Sequence, residues 1–223
     1  MQVIESLLIG EYKIIQDTEH YRFTSDSVLL ARFLKAKRGE RVADFCSGSG
    51  IVGLHFFAEN KGVKSVTLFE MQKELAEMSE RTVELNGLES AFTVENCPLQ
   101  DIPKVYTEHF SLILCNPPYE RAGAGFESDS AEKAPCKKEL SLSLDELLDA
   151  AKRCLKFGGR FAVIHRADRV AELISGMHVR GLEPKMLQFV AGKAEKKPYA
   201  VLIMAMKGAH PGVDVLPTLI NEK

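Results

Sequence analysis

Four consecutive residues, Asn116, Pro117, Pro118 and Tyr119, combine hydrogen-bond acceptors with a flat aromatic ring. An amino group on an aromatic ring is a poor nucleophile, because its lone pair is delocalised into the ring. It becomes a better one when both of its N–H groups donate to fixed acceptors. The side-chain oxygen of Asn116 and the backbone carbonyl of Pro117 can be these acceptors, and proline holds its carbonyl rigidly because its φ is fixed.

The remaining residues of this tetrapeptide suit the binding of a planar group. Pro118 and Tyr119 offer contact surface, and stacking of a base on an aromatic ring contributes about 1–3 kcal/mol. Most of the rate gain would come from positioning two reactants, so no strong base is needed. The alternative interpretation is a plain turn in which two prolines end a strand.

A second motif, DFCSGSGIVG at 44–53, has the pattern of a strand, a glycine-rich turn and a helix. Glycines let a ligand approach the backbone, and free N–H groups at a helix start favour an anionic group. Glu70 ends the next predicted strand, at the position from which a carboxylate accepts hydrogen bonds from ribose hydroxyls. The motif therefore predicts a nucleotide-like cofactor bound by Gly48, Gly50 and Glu70.

The glycine spacing alone fits either a dinucleotide or S-adenosylmethionine. Asp44 stands between the strand and the glycines, where its carboxylate can face the methionyl ammonium of S-adenosylmethionine. The length of 223 residues also leaves little room for a separate dehydrogenase substrate domain. We therefore favour S-adenosylmethionine; a tight turn with an incidental aspartate is the alternative.

Short apolar runs alternate with longer amphipathic ones, which predicts an α/β fold with a mostly parallel sheet. Seven strands are predicted, the last two forming a closing antiparallel hairpin, at 41–46, 65–70, 92–95, 110–115, 159–165, 185–190 and 200–206. Helices are predicted at 25–35, 51–59, 72–85, 144–155 and 168–177. Asn86-Gly87 predicts a left-handed helix end, Ser143 with Glu146 a capping box, and Asp168 an N-cap.

One domain is expected over residues 1–223, with a helical entry segment at 1–40. Residues 120–143 form a glycine- and serine-containing stretch that fits no element, and a loop of that length is usually functional or disordered. Since it follows the acceptor tetrapeptide directly, we interpret it as a lid.

The composition is that of a globular protein without a membrane span or signal peptide, for which the cytoplasm is the default location. None of the five cysteines forms a CxxC pair, so no metal site is expected. Residues 151–207 carry 12 Lys/Arg against 4 Asp/Glu, whereas the rest of the chain carries 17 against 27. This basic part indicates either a surface for a polyanion or a solvated face of scattered lysines.

Taken together, the two motifs resemble the class I Rossmann-like methyltransferases that carry an Asn-Pro-Pro-Tyr motif. Further segments are similar to bacterial tRNA1(Val) adenine-37 N6-methyltransferases: YRFTSDSVLLA at 21–31, VIHR at 163–166, GLEPK at 181–185, and the closing stretch from VLI at 201–203 to VLPTLI at 215–220. The resemblance covers nearly the whole chain. It implies methyl transfer from S-adenosylmethionine to the N6 amino group of an adenine in RNA, with tRNA the expected partner and a monomer the default state.

The resemblance also implies roles for individual residues. Phe23, Thr24 and Asp26 would close over the methionine end of the cofactor, and Asn96 would contact its adenine, where relatives usually carry an acidic residue. The target adenine would be held by Asn116, Pro117 and Tyr119. Independently of the resemblance, the basic C-terminal part of the chain would hold phosphates, with Lys193, Lys196 and Lys197 near the mouth of the site.

Three other functions remain open from the sequence. A protein glutamine N5-methyltransferase shares the tetrapeptide but carries an N-terminal helical domain, and only about 40 residues precede the first predicted core strand here. A DNA adenine methyltransferase normally needs an added target-recognition domain. A non-catalytic RNA-binding protein could keep the cofactor pocket, and it would bind the cofactor without turnover.

Overall fold

The computed structural model describes residues 2–7, 9–17, 25–118 and 142–222. In these ranges the chain forms ten strands and five α-helices. The strands are β1 (Gln2–Ser6), β2 (Lys13–Asp17), β3 (Glu40–Phe45), β4 (Val63–Glu70), β5 (Phe92–Asn96), β6 (Phe110–Cys115), β7 (Leu155–Arg166), β8 (Leu182–Ala191), β9 (Ala200–Lys207) and β10 (Asp214–Ile220). The helices are α1 (Ser25–Phe33), α2 (Ile51–Glu59), α3 (Lys73–Leu85), α4 (Leu144–Cys154) and α5 (Val170–Val179).

Eight strands form one sheet in the order β10-β8-β9-β7-β6-β3-β4-β5. The strands β7, β6, β3, β4 and β5 are parallel, and β9 is antiparallel to both β7 and β8. The predicted α/β fold with its closing hairpin is therefore confirmed, with one strand more than the seven expected. The additional strand, β10, lies at the edge, where most of its residues are exposed and Pro217 interrupts it, so it lacks the apolar pattern of a buried strand.

The N-terminal segment, expected to be helical, begins with an antiparallel hairpin of β1 and β2 that forms a separate sheet. This hairpin is anchored on α3. The backbone N–H of Ile15 donates to Thr82 Oγ1 at 3.1 Å, and Asn86 bonds both the N–H and the carbonyl of Lys13 at 2.8 and 2.7 Å. Asn86, which the sequence indicated only as a helix end, thus also holds the hairpin.

Helices cover both faces of the large sheet. Apolar residues of α1 and α2 pack against one face, with Leu30, Ile51 and Phe56 among the most buried. Residues of α4 and α5 pack against the other face, including Leu148 and Met177. A parallel sheet buried on both faces leaves its strand ends as the accessible edge, which is where ligands bind in such folds.

Two of the three predicted helix ends are confirmed. Gly87 has a φ of 64° after α3, and Ser143 and Glu146 form a complete capping box at the start of α4. The Asp168 prediction was wrong, because α5 begins at Val170 after a short 3₁₀ turn. The carboxylate of Asp168 instead accepts a hydrogen bond from the Arg166 guanidinium at 3.1 Å.

Several sequence-based expectations fall outside the described residues. These are the site residues Phe23, Thr24 and Tyr119, and the loop at 120–143 apart from its last two residues. Within the ranges that are described, no helix has the length and apolar character needed to cross a membrane.

Candidate active site at the carboxyl edge of the sheet

Four of the predicted site residues lie at the carboxyl ends of adjacent strands. In the order β6-β3-β4-β5, these strands end at or next to Asn116, Asp44, Glu70 and Asn96. The register pairs Phe45 with both Cys115 and Phe69 in the neighbouring strands, and Glu70 with Asn96. The sheet therefore brings the glycine turn and the first three residues of the acceptor tetrapeptide to the same edge, as the sequence predicted.

The turn between β3 and α2 is tightly packed. Gly50 has a φ of 80°, and a Cβ built on it would lie 2.8 Å from Leu68 Cδ1. Gly53, in the first turn of α2, would place a Cβ 2.7 Å from Leu68 Cδ2 and 3.3 Å from Asp44 Oδ2. Both positions require glycine, the first for its left-handed backbone and both for the close approach of β4.

Asp44 is fully buried at the end of β3. Its Oδ2 accepts a hydrogen bond from the Gly53 N–H at 2.8 Å, whereas its Oδ1 is buried without a partner among the described residues. Burial raises the pKa of Asp44 to about 7, although the bond from Gly53 lowers it and the charge of Glu70 raises it further. A buried carboxylate oxygen that receives no hydrogen bond can pair with a cationic group of a ligand. The ammonium group of S-adenosylmethionine needs such an acceptor.

Glu70, at the end of β4, organises the glycine turn as well as facing it. Its Oε2 accepts from the Gly48 N–H and its Oε1 from the Gln72 N–H, both at 2.8 Å. Burial raises its pKa, while these backbone hydrogen bonds oppose the rise. A carboxylate has about four acceptor positions. The acceptor capacity that is left suits a ribose hydroxyl, and the residue also has a structural role that the sequence did not reveal.

Asn96, at the end of β5, also bonds the backbone and keeps an acceptor for a ligand. Its Nδ2 donates to the backbone carbonyls of Glu70 and Met71 at 2.8 and 3.1 Å. These bonds use both amide hydrogens and leave Oδ1 as an acceptor that receives no hydrogen bond from the described part of the chain. An exposed amide oxygen in this orientation suits the amino group of an adenine.

Two serines of the glycine turn were not singled out from the sequence. Ser47 and Ser49 are buried, and the hydroxyl oxygen of each lacks a partner among the described residues. Unpaired buried hydroxyls are uncommon and cost free energy. They lie in the motif that contains the glycines, but burial depends on tertiary packing and could not be predicted from the motif.

Asn116 follows β6 and is oriented by α1. Its Nδ2 donates to Ser27 Oγ at 3.1 Å, and Ser27 is only 1% exposed. In this orientation the donor end of the amide faces Ser27, and Oδ1 lies on the other side. Pro117 is buried and Pro118 is exposed. Ser27 stood in a segment noted for its resemblance to relatives but was not among the predicted site residues.

The first turn of α1 is tied to the C-terminal part of the chain. Tyr199 donates its hydroxyl to Asp26 Oδ1 at 3.3 Å. Asn221 Nδ2 donates to Ser25 Oγ at 3.1 Å and to the Tyr199 hydroxyl at 2.8 Å. Asp26, predicted at the methionine end of the cofactor, is buried. Its bond to Tyr199 makes it part of a hydrogen-bond network with residues next to strands β9 and β10.

The three predicted phosphate-binding lysines, Lys193, Lys196 and Lys197, are exposed on the turn between β8 and β9. Ala200, which follows this turn, pairs with Arg166 at the carboxyl end of β7. The lysines therefore lie at the same edge of the sheet as the acceptor tetrapeptide.

His165 lies beside the tetrapeptide and was not predicted as a site residue. It lines a small cavity with Pro117, Pro118 and Arg169, and its Nδ1 accepts from the Arg166 N–H at 2.8 Å. Burial lowers the pKa of His165 to about 4, so its imidazole is neutral at physiological pH. This neighbour adds no positive charge that would repel a cationic cofactor.

The thiol next to the tetrapeptide is not an activated nucleophile. Cys115 is fully buried, and burial together with a hydrogen bond to Cys46 raises its pKa well above the ordinary value. A thiolate, rather than a thiol, is the nucleophilic form. Cys115 is therefore not suited to form a covalent intermediate with a substrate.

Comparison with known proteins agrees with this geometry. The family model for the methyltransferase small domain matches residues 20–202. The tRNA1(Val) (adenine(37)-N6)-methyltransferase of Shewanella baltica (strain OS185) is 27% identical over 194 residues, which cover 85% of this chain and 79% of the relative.

Solved structures share the fold. A predicted O-methyltransferase from Agrobacterium tumefaciens has a TM-score of 0.67 at 24% identity, covering 87% of this chain and 86% of its own. P. horikoshii TYW2, solved in complex with MeSAdo, has a TM-score of 0.66 at 14% identity, covering 93% of this chain and 72% of its own. Since the family model spans most of the sequence, and the sheet presents its motifs at one edge, the chain belongs to the methyltransferase small domain family.

Proposed function

We propose that this protein transfers a methyl group from S-adenosylmethionine to the N6 amino group of an adenine in RNA, and that the RNA is a tRNA. The observation that carries the proposal is the position of Asn116, whose amide bonds Ser27 at the same sheet edge as Asp44. Oδ1 of Asp44 is buried there and has no partner among the described residues. Relatives named tRNA1(Val) (adenine(37)-N6)-methyltransferase support the choice of RNA and adenine.

The cofactor would be held along the carboxyl ends of β3, β4 and β5. Asp44 would accept a hydrogen bond from its ammonium, Glu70 from its ribose, and Asn96 from its adenine amino group. Gly48 and Gly50 would let the backbone approach it, and Phe23, Thr24 and Asp26 would lie at its methionine end. When bound, S-adenosylmethionine supplies a methyl group made electrophilic by the attached sulfonium.

The acceptor residues prepare the amino nitrogen for attack. Asn116 Oδ1 and the Pro117 carbonyl each accept one N–H of the adenine amino group, which turns the nitrogen lone pair towards the methyl group. Pro118 and Tyr119 contact the base, and stacking compensates part of the cost of removing it from its neighbours. The methylated nitrogen is acidic until it loses its proton, so solvent can accept that proton.

The exposed lysines would hold the RNA backbone. Lys193, Lys196 and Lys197 lie at the edge that presents the acceptor tetrapeptide, and phosphate contacts position a nucleic acid without reading its sequence. Sequence choice would rest on the base held by Asn116 and on the shape of the RNA loop around it. A tRNA substrate would place the protein in the cytoplasm.

Radiolabelled S-adenosylmethionine and tRNA from a strain lacking the modification test the proposal. The expected result is label recovered as N6-methyladenosine after digestion to nucleosides. Label in protein glutamine or in DNA, with none in tRNA, would keep the methyltransferase and exclude the RNA substrate. Cofactor binding without transfer to any acceptor would favour the non-catalytic alternative.

A further inference from the structure

Ser27 is a buried polar side chain that has no role of its own in the proposed reaction. It lies in the first turn of α1, is 1% exposed, and accepts the Asn116 amide N–H at 3.1 Å. The two residues are 89 positions apart in the chain, so only the packing of α1 against the end of β6 brings them together. Burying a hydroxyl costs free energy, and the hydrogen bond with Asn116 offsets part of that cost.

The chemistry of the amide explains why such a partner matters. The amide of asparagine carries an acceptor on one side and two donors on the other, and a rotation of its side chain by half a turn exchanges them. If the donors faced the substrate amino group, donors would oppose donors and the amino group would not be activated. A neighbour that holds the side chain with Oδ1 on the substrate side therefore contributes to the reaction. A serine hydroxyl can pair with either end of an amide, and in the structure Ser27 accepts from Nδ2.

We propose that Ser27 is a positioning residue for methyl transfer: its Oγ holds the Asn116 amide with Oδ1 towards the substrate amino group. The inference rests on the proposed function, because it assigns a role within the same acceptor site. Ser27 touches neither reactant, and it acts through Asn116.

The neighbouring residues of α1 are held by other partners, which keeps the helix turn in place when Ser27 is changed. Tyr199 holds Asp26 at 3.3 Å and Asn221 holds Ser25 at 3.1 Å. Replacing Ser27 by alanine removes one oxygen from a helix in which alanine is favourable. The helix should remain folded and docked, so that the effect is confined to the orientation of Asn116.

The test compares single-turnover methyl transfer to tRNA at saturating cofactor and RNA for wild type, Ser27→Ala and Ser27→Thr. Ser27→Ala should slow transfer on the order of 10- to 100-fold, the scale of misplaced reacting groups. Its thermal unfolding temperature and its affinity for S-adenosylmethionine should stay near the wild-type values. Ser27→Thr, which keeps the hydroxyl, should restore most of the rate.

Ser111→Ala is the matched control. Ser111 is also a buried serine, on the strand that carries Asn116, but its hydroxyl bonds the backbone of Arg41 at 3.1 and 3.2 Å. Ser111→Ala should lower the unfolding temperature and leave the transfer rate unchanged.

Three results would overturn the inference. Ser27→Ala at the wild-type rate would show that Asn116 needs no help from α1. Loss of rate in both alanine variants, in proportion to lost stability, would reduce Ser27 to a structural role. Wild type that transfers no methyl group to any RNA would remove the proposed function and the inference together, whereas the first two results leave the proposed function intact.

Discussion

At the scale of single residues, the site depends on acceptors whose orientation is set by neighbours. Asn96 has a defined acceptor end because it donates to two backbone carbonyls, and Asn116 is held by its hydrogen bond to Ser27. Glu70 is fixed by two backbone N–H groups in the same way. Acceptors fixed before the reactants bind need no reorganisation during the reaction, which is the condition for efficient electrostatic catalysis.

Asn116→Ala should separate catalysis from cofactor binding. Loss of one fixed partner of the reacting group typically lowers the rate on the order of 100- to 1,000-fold. We expect a loss of at least this size in methyl transfer, while calorimetric titration gives a cofactor affinity close to that of wild type. A large loss of cofactor affinity would contradict the role assigned to Asn116.

Asp44 should make cofactor binding depend on pH. Because the pKa of Asp44 is about 7, its carboxylate form, which pairs with an ammonium group, becomes populated only as the pH rises through 7. Affinity for S-adenosylmethionine should therefore increase between about pH 6 and pH 8, and Asp44→Asn should bind weakly and remove most of this dependence. Equal pH profiles for the two proteins would locate the ammonium contact elsewhere.

The same residue should affect stability in the opposite direction. The folded protein binds the Asp44 proton more tightly than the unfolded chain does, since the pKa rises from 3.8 to about 7. The resulting stabilisation is complete below about pH 4 and is lost as the pH rises through 7. His165, whose pKa falls from 6.5 to about 4, has the reverse effect in the same window. In the difference in unfolding free energy between wild type and Asp44→Asn, the contribution of His165 to the pH dependence cancels and that of Asp44 remains.

At the scale of secondary-structure elements, the turn from β3 into α2 is the most constrained connection at the site. Gly50→Ala would introduce both a strained backbone and a clash with Leu68, whereas Gly39→Ala, at a φ of 78° with no atom within 4 Å, would introduce the strain alone. A strained left-handed residue costs about 1–3 kcal/mol. Gly50→Ala should thus be the less stable variant in urea unfolding and should also lose cofactor affinity. Equal stability of the two variants would mean that Leu68 moves aside without cost.

The sequence predicted correctly those elements that a single local pattern determines. The buried strands, the glycine turn and the capping box at Ser143 all lie where predicted, because apolar runs and local end signals carry their own information. The hairpin of β1 and β2 could not be foreseen, since Asn86 and Thr82 of α3 hold it and no local pattern marks that docking. Ser27 and Tyr199 were missed as parts of the site for the same reason: their partners are 89 and 173 positions away.

At the scale of the whole molecule, three exposed lysines lie together on the turn between β8 and β9, at the active edge of the sheet. Replacing Lys193, Lys196 and Lys197 together by alanine should weaken binding of tRNA and reduce the slope of its salt dependence by about 1 for each lysine that contacts a phosphate. The cofactor affinity of this variant should not change, because the turn that carries the lysines follows β8 rather than the cofactor strands.

The matched control for this variant lies at the opposite edge of the sheet. Lys37, Lys61 and Lys64 are also exposed, and they precede or begin strands β3 and β4. Their joint replacement by alanine changes net charge by the same amount and should leave RNA binding nearly unchanged. Equal losses of RNA binding in the two triple variants would show that only the net charge matters, which would contradict the proposed binding surface.

The reversed direction of β9 has a consequence for how such enzymes can diversify. Because β9 runs antiparallel to both of its neighbours, the turn from Gly192 to Pro198 is held at each end by paired strands and lies beside the acceptor site. Its length and composition can then change without shifting the register of the strands that hold the cofactor. Exchange of this one turn between homologues is therefore a route by which evolution, or a protein engineer, can retarget the same methyl-transfer chemistry to a different nucleic acid.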